Sequence, residues 1–392
     1  MQLKLSLITS ALLASMALEA QDYVSVEYLQ YNENQNRSSI SAPSITINKD
    51  FGTDYTLNAS LVVDMVSGAS QTYYDDSYDG VSGASYDASS GASVFARGLN
   101  INNANIKYGN ISYDDERVAW STLVTKRFEN RDELSVGISR SEEHDFYSSE
   151  ASVKYAHWLN DSKNNSLSFG VSYQSNEILQ FCSEVTVDGC SGASRKREAD
   201  AINTQMSFSQ NIDMYSTLKL GVFYAKDSGY LDNPYLNVVR NYEANGASDV
   251  VGERRPDSKE AYGAIAQYAN ALNDEITIHL NYRYYKDDWQ TQSHTIDSDL
   301  YYEFNNDWLF KIGLRHYQQS EAYFYNSSPT YFTDELYASS DQRLSDFNAQ
   351  TYKSALRYKI NDDVSVNFGA NFYVQSTDLN ALYFVSGLKY NF

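Results

Sequence analysis

Apolar residues at every second position, in runs of about ten, constrain this 392-residue chain more than any other feature. Ile276, Ile278, Leu280, Tyr282 and Tyr284 share one face, and Thr277, His279, Asn281 and Arg283 share the other. Val364, Val366, Phe368, Ala370, Phe372 and Val374 alternate with Ser365, Asn367, Gly369 and Asn371. Leu218, Leu220, Val222 and Tyr224 repeat the pattern, as do Leu167, Phe169, Val171 and Tyr173. A period of two puts successive side chains on opposite faces of a strand, and about ten tilted residues cross a bilayer. The connections alternate too. Short Asn/Asp-rich turns fall near 129–131, 160–165, 211–215, 272–274, 305–307 and 360–363, and longer ones near 175–200, 227–259 and 319–347.

This spacing predicts an all-β fold, a transmembrane antiparallel β-barrel with short periplasmic turns and long extracellular or lumenal loops. Strands at about 23–31, 40–49 and 54–64, then thirteen more from 116 to 392, make sixteen. Weak patterning in the first two leaves fourteen to eighteen open. An even count puts both termini in the periplasm, and a barrel of this size encloses a lumen. The mean hydropathy of −0.52 reads as soluble, yet alternation of lipid-facing and lumen-facing residues produces that average. A soluble β-protein is the competing architecture. It offers no reason for the final strand, where Leu382, Phe384, Leu388, Tyr390 and Phe392 share one parity. That ending resembles the assembly signal of outer-membrane barrels. Trp158, Trp308 and strand-end tyrosines, from a total of 35 Tyr, suit aromatic girdles at the two interfaces.

Residues 1–20 are expected to be a secretory signal peptide, cleaved before Gln21: Lys4, an apolar-leaning run from Leu5 to Leu18, then Leu18-Glu19-Ala20. No Cys lies near the cut, so lipoprotein anchoring is not expected. Residues 21–392 then form a single barrel domain in a bacterial outer membrane, with lipid and lipopolysaccharide as partners. The net charge of −21 sits mostly in the turns and long connections, at residues such as Asp75, Asp76, Asp114, Asp115, Glu116, Glu142 and Glu143, which argues against nucleic acid. These carboxylates form solvated loop surface or bridge divalent cations near lipopolysaccharide.

One heptad recurs in the connections. It stands at Asp64-Met-Val-Ser-Gly-Ala-Ser70, Asp79-Gly-Val-Ser-Gly-Ala-Ser85 and Asp87-Ala-Ser-Ser-Gly-Ala-Ser93, all within or beside a long connection at about 65–115. A fourth copy, Asp188-Gly-Cys-Ser-Gly-Ala-Ser194, lies in the loop at about 175–200, and Asn245-Gly-Ala-Ser248 is a partial match. A flexible linker needs small residues but no Asp at a constant offset of six from the last Ser. The heptad resembles the acceptor sequence D-x-x-[ST]-G-A-[ST] of proteins modified by the FAD:protein FMN transferase. The resemblance implies FMN joined by a phosphoester to Ser70, Ser85, Ser93 and Ser194, with Asp64, Asp79, Asp87 and Asp188 at the acidic position. A plain structural repeat is the alternative. The whole chain, with its Ser-Glu-x-x-Asp-aromatic stretch at Ser141–Phe146, also resembles an uncharacterised outer-membrane barrel family described only as a domain of unknown function.

The two cysteines, Cys182 and Cys190, are expected to form a structural disulfide in an oxidising compartment; a redox-active pair is the alternative. His144, His157, His279, His294 and His316 share no metal-ligand spacing, and no metal site is expected. Glu142-Glu143-His144-Asp145 reads as a solvated loop before it reads as a divalent-ion site. Lys219, Arg283, Lys311, Arg315 and Arg357 fall on the lumenal parity, to tune a channel or simply to make the lumen polar. No catalytic nucleophile context is present, so a carrier or channel is expected rather than an enzyme. The first reading is a conduit that passes electrons among tethered FMN groups, partnered by a periplasmic FMN transferase and a periplasmic redox protein. The rival is a passive porin or transport channel with Ser/Gly-rich constriction loops.

Overall fold

Wherever the alternation is sustained, the chain forms strand. The computed structural model describes residues 22–75, 106–181, 194–242, 247–326 and 335–392. The first strands are β1 (Tyr23–Glu33), β2 (Ser38–Phe51), β3 (Tyr55–Asp75), β4 (Ile106–Arg127) and β5 (Glu133–Glu142). Next come β6 (Phe146–Trp158), β7 (Asn165–Phe181), β8 (Ser194–Asn211) and β9 (Ser216–Gly229). A short hairpin follows, β10 (Asn237–Tyr242) and β11 (Ala247–Gly252). The wall resumes with β12 (Ser258–Ala271), β13 (Ile276–Asp287), β14 (Gln292–Asn305) and β15 (Trp308–Gln319). It ends with β16 (Phe347–Lys359), β17 (Val364–Gln375) and β18 (Asn380–Asn391).

Sequence neighbours pair antiparallel, β9 pairs directly with β12, and β18 pairs with β1 to close a barrel of sixteen strands. The expected count is met, and closure leaves no free strand edge. The odd pair, β10 and β11, stands apart as its own two-stranded sheet.

The outer face is apolar. Val26, Ile45, Leu61, Ile138, Val153, Phe169, Val222, Leu280, Ile312, Phe368 and Leu388 are all exposed along it. A continuous band of this kind would drive aggregation in water and is what hydrocarbon requires of a barrel wall. Trp308 packs against Tyr358 with ring centroids 4.4 Å apart and the rings tilted, a girdle pair at the short-turn end. Trp158 falls on the opposite parity from the exposed Tyr155 beside it, so it does not belong to the outer girdle. Among the described residues no helix is long and apolar enough to cross a membrane.

Two strand ends depart from the sequence reading. The ladder between β3 and β4 is unbroken from Tyr55↔Lys126 to Asp75↔Ile106, so the connection between them is shorter than 65–115. Likewise β7 and β8 pair out to Phe181↔Ser194, which narrows the loop at 175–200. Apolar alternation ends where the bilayer ends, but backbone pairing needs no apolar face and continues through Ser, Asn and Tyr.

The short turns are closed by their own side chains. The Asn273 Oδ1 accepts from the backbone N–H of Glu275 at 2.9 Å and of Ile276 at 2.7 Å. Asn305 does the same for Asp307 and Trp308, and Asn361 for Asp363 and Val364. This is the Asx turn that the residue type favours.

Candidate functional site

The long connections all leave from one end of the barrel, and the first heptad belongs to that end. The first copy is not in a loop. Residues 64–70 lie inside β3, where Asp64 pairs with Arg117 and Ser70 with Ile111 across the ladder. Asp64 is fully buried, and Arg117 reaches it with Nε 2.5 Å from Oδ2 and with Nη2 as well. Gly68 has a packing reason of its own: a Cβ there would stand 2.3 Å from the carbonyl oxygen of Arg37. Ser194, the last residue of the fourth heptad, is the first residue of β8. Asp79, Ser85, Asp87, Ser93, Asp188, Cys182 and Cys190 lie outside the described residues, as do residues 1–21.

Beside the first heptad, the turn between β5 and β6 rearranges the acidic set read from sequence. Glu142 belongs to an exposed ion pair, 2.5 Å from Arg140. Glu143 and Asp145 instead meet Asp115 of β4, with one carboxylate oxygen from each within 4.8 Å of the others. Asp145 is buried and Glu143 half-buried. Burial first, and the nearby Asp115 second, push Glu143 up to about 8 and Asp145 up to about 6. Three carboxylates so placed can share protons or take a hard divalent cation. Asp115 was invisible as a member because it comes from another strand.

Across the same end lies a cap that no sequence motif announced. The β10–β11 hairpin leaves from β9, returns to β12, and touches β3, six strands along the wall. It therefore crosses the mouth. Val238, Val239 and Val250 are buried in it, with Ala338 from the connection between β15 and β16. Arg254 and Ala338 exchange backbone hydrogen bonds at 2.9 and 2.8 Å. Trp289, from the turn after β13, meets Phe324 edge-on at 5.1 Å.

A buried ionic cluster ties these loops together. The Arg255 Nε is 2.6 Å from Glu253, and its Nη2 donates to Asp341 at 2.8 Å. Arg343 Nε adds bonds of 2.8 and 2.9 Å to Asp341. Glu253 also accepts from Ser339 Oγ at 2.5 Å and from the Asn233 backbone N–H at 2.6 Å. Burial pushes Glu253 up, against the pull of Arg255. Burial acts on Asp341 in the same direction, but Arg343 and then Arg255 hold it below the usual carboxylate range.

Below the cap the lumen is charged, and the basic residues expected there face it. Lys311 pairs with Asp299 at 3.2 Å, Arg315 with Asp297 at 2.6 Å, and Lys353 with both aspartates. Arg283 lies over the rings of Phe223 at 4.9 Å and Tyr285 at 5.8 Å. Alternating acid and base on the inner wall is what a polar lumen presents.

The family model described as "Protein of unknown function (DUF3570)" matches residues 5–387. The chain belongs to the DUF3570 family. No curated protein matches this DUF3570 sequence. Among solved structures it is similar to CdiB from Acinetobacter baumannii, with a TM-score of 0.51 at 8% identity over 95% of this chain and 60% of that one. It is also similar to a bacterial polysaccharide outer membrane secretin, with 0.49 at 8% identity over 95% and 98%. The ferric enterobactin receptor PfeA of Pseudomonas aeruginosa matches with 0.44 at 12% identity over 91% of this chain. The DUF3570 chain covers 54% of that receptor. Identities this low carry the fold alone: the β-barrel of outer-membrane proteins.

Proposed function

We propose that this DUF3570 chain is an outer-membrane carrier of covalent FMN, with flavins held at the extracellular end of the barrel and electrons passing among them. The observation that carries the reading is the heptad itself, repeated four times with its Asp and final Ser at a constant offset. The placement of the strands adds support. Ser70 is on the outer part of β3 and Ser194 opens β8, both at that same end. A phosphoester tether keeps a redox cofactor from diffusing away after export. The partners are then a periplasmic FMN transferase and a periplasmic redox protein, and the barrel is scaffold rather than catalyst. Cys182 and Cys190 would staple the base of the fourth heptad.

The test is intact-mass spectrometry of the mature chain made together with the transferase. Four FMN-sized increments are expected, one lost with each of Ser70→Ala, Ser85→Ala, Ser93→Ala and Ser194→Ala. An unmodified chain, despite active transferase and FAD, would sink the flavin reading. A second reading, a channel whose aperture is set by its loops, draws on the charged lumen and on the cap across the mouth. It calls for ion conductance in planar bilayers from protein free of flavin.

A further inference from the structure

We infer that FMN reaches Ser70 only before the barrel closes, so that transfer to the first heptad precedes assembly; this rests on the flavin reading above. In the reaction the Ser70 Oγ attacks the phosphorus of the FMN half of FAD. The bond to the AMP phosphate breaks, AMP leaves, and the serine proton passes to solvent, with no change of oxidation state. The enzyme must therefore hold the heptad as an accessible, extended segment.

The folded protein denies it that. Asp64, the acidic position, is fully buried and paired with Arg117. Val66, Ser67 and Gly68 are laddered on one side to Ile40, Ser39 and Ser38 of β2. On the other side the same segment is laddered to β4, from Asp64↔Arg117 through Ser70↔Ile111. Between Met65 and Gly68 both edges are occupied and leave no ladder edge for an enzyme to grip. Beyond Gly68 the β2 ladder ends, and Ser70 is held on the β4 side alone. The chain is also packed without slack, since even a methyl group at Gly68 would collide with Arg37. Releasing this stretch means unzipping β3 from β4 over Asp64–Asp75 and from β2 over Met65–Gly68, a sub-global opening that breaks two ladders at once. Topology works the same way: the heptad is at the long-connection end, outside the cell, whereas the transferase acts in the periplasm. Ser194 differs, because it is the last rung of its ladder, paired with Phe181.

An order-of-addition experiment on the full mature chain tests this. Chain diluted from urea meets transferase and FAD either before detergent micelles or after them, once the heat-modifiable folded form has appeared. A free peptide bearing the heptad, present in both arms, reports that the transferase works in micelles. Peptide mass spectrometry then reads Ser70 and Ser194 separately. The expected result is FMN on Ser70 when the transferase comes first, and occupancy lower by at least about tenfold when folding comes first. Equal Ser70 occupancy in the two arms would overturn the inference and leave the flavin reading standing. Absence of FMN from all four serines in the transferase-first arm would overturn that reading, and the inference with it.

Discussion

The two ends of this barrel are built on different principles. At the short-turn end reversals are held by side chains within four residues of the N–H they cap, as at Asn273, Asn305 and Asn361. At the long-connection end Arg255 reaches Asp341, 86 residues away, and the hairpin reaches β3 across the mouth. Local closure makes the wall tolerant of change in any one turn. Remote closure makes the cap an all-or-none unit, which a single substitution can release without opening the wall beneath it. Asp132 crosses the divide: in a short turn it accepts from the Tyr155 hydroxyl at 2.6 Å, from His157 at 2.9 Å and from the Trp158 backbone N–H at 3.1 Å.

The largest expected effect is at the cap. Arg255→Met leaves Glu253 and Asp341 buried without their shared cation, a cost on the order of 3–5 kcal/mol. Limited proteolysis should then cut between residues 230 and 257, bilayer conductance should rise, and the heat-modifiable shift on gels should persist. If cleavage and conductance stay as in the parent, the cap is not a unit and the contrast between the ends fails.

Acid and base should act on the two ends with opposite sign. Glu143 and Asp145 bind protons more tightly folded than unfolded, because burial and Asp115 raise them from 4.5 to about 8 and from 3.8 to about 6. Their contribution is complete below the unfolded values and is lost as pH rises through about 8, by an amount on the order of 1–2 kcal/mol after solvent screening. Asp132 is held below 3.8, first by the Tyr155 hydroxyl and then by His157 and the Trp158 N–H, so its contribution is present above that value and lost as pH falls. Apparent melting temperatures should therefore drop from pH 5 to pH 8 in the parent and by less in Glu143→Gln, where Asp145 alone still contributes. Asp132→Asn should flatten only the acid limb. A Glu143→Gln variant that melts with the parent's pH profile would remove the acidic cluster from this account.

The smallest effect belongs to the turns. Asn361→Ala removes the acceptor of two backbone N–H groups at a cost of about 1 kcal/mol, and the groups left over are exposed to water. Urea unfolding should shift slightly, with the cap's protease resistance unchanged. A loss of cap resistance in this variant would mean that the two ends are coupled.

What the sequence by itself determined is the wall. The face that each residue of β9, β13, β17 and β18 presents and the turns at Asn273, Asn305 and Asn361 were legible, because each depends on residues within one strand or one reversal. The strand count was legible only as sixteen within fourteen to eighteen. The structure decided what lies above the bilayer. There β3 and β4 continue through polar residues, so the first heptad became strand and Asp64 became the buried partner of Arg117. Asp115 joined Glu143 and Asp145, and residues 237–252 folded with Ala338 into a cap. Hydrophobic periodicity is silent in these places. Backbone pairing carries no side-chain signature of its own, and contacts between residues tens of positions apart leave no periodic trace in the chain.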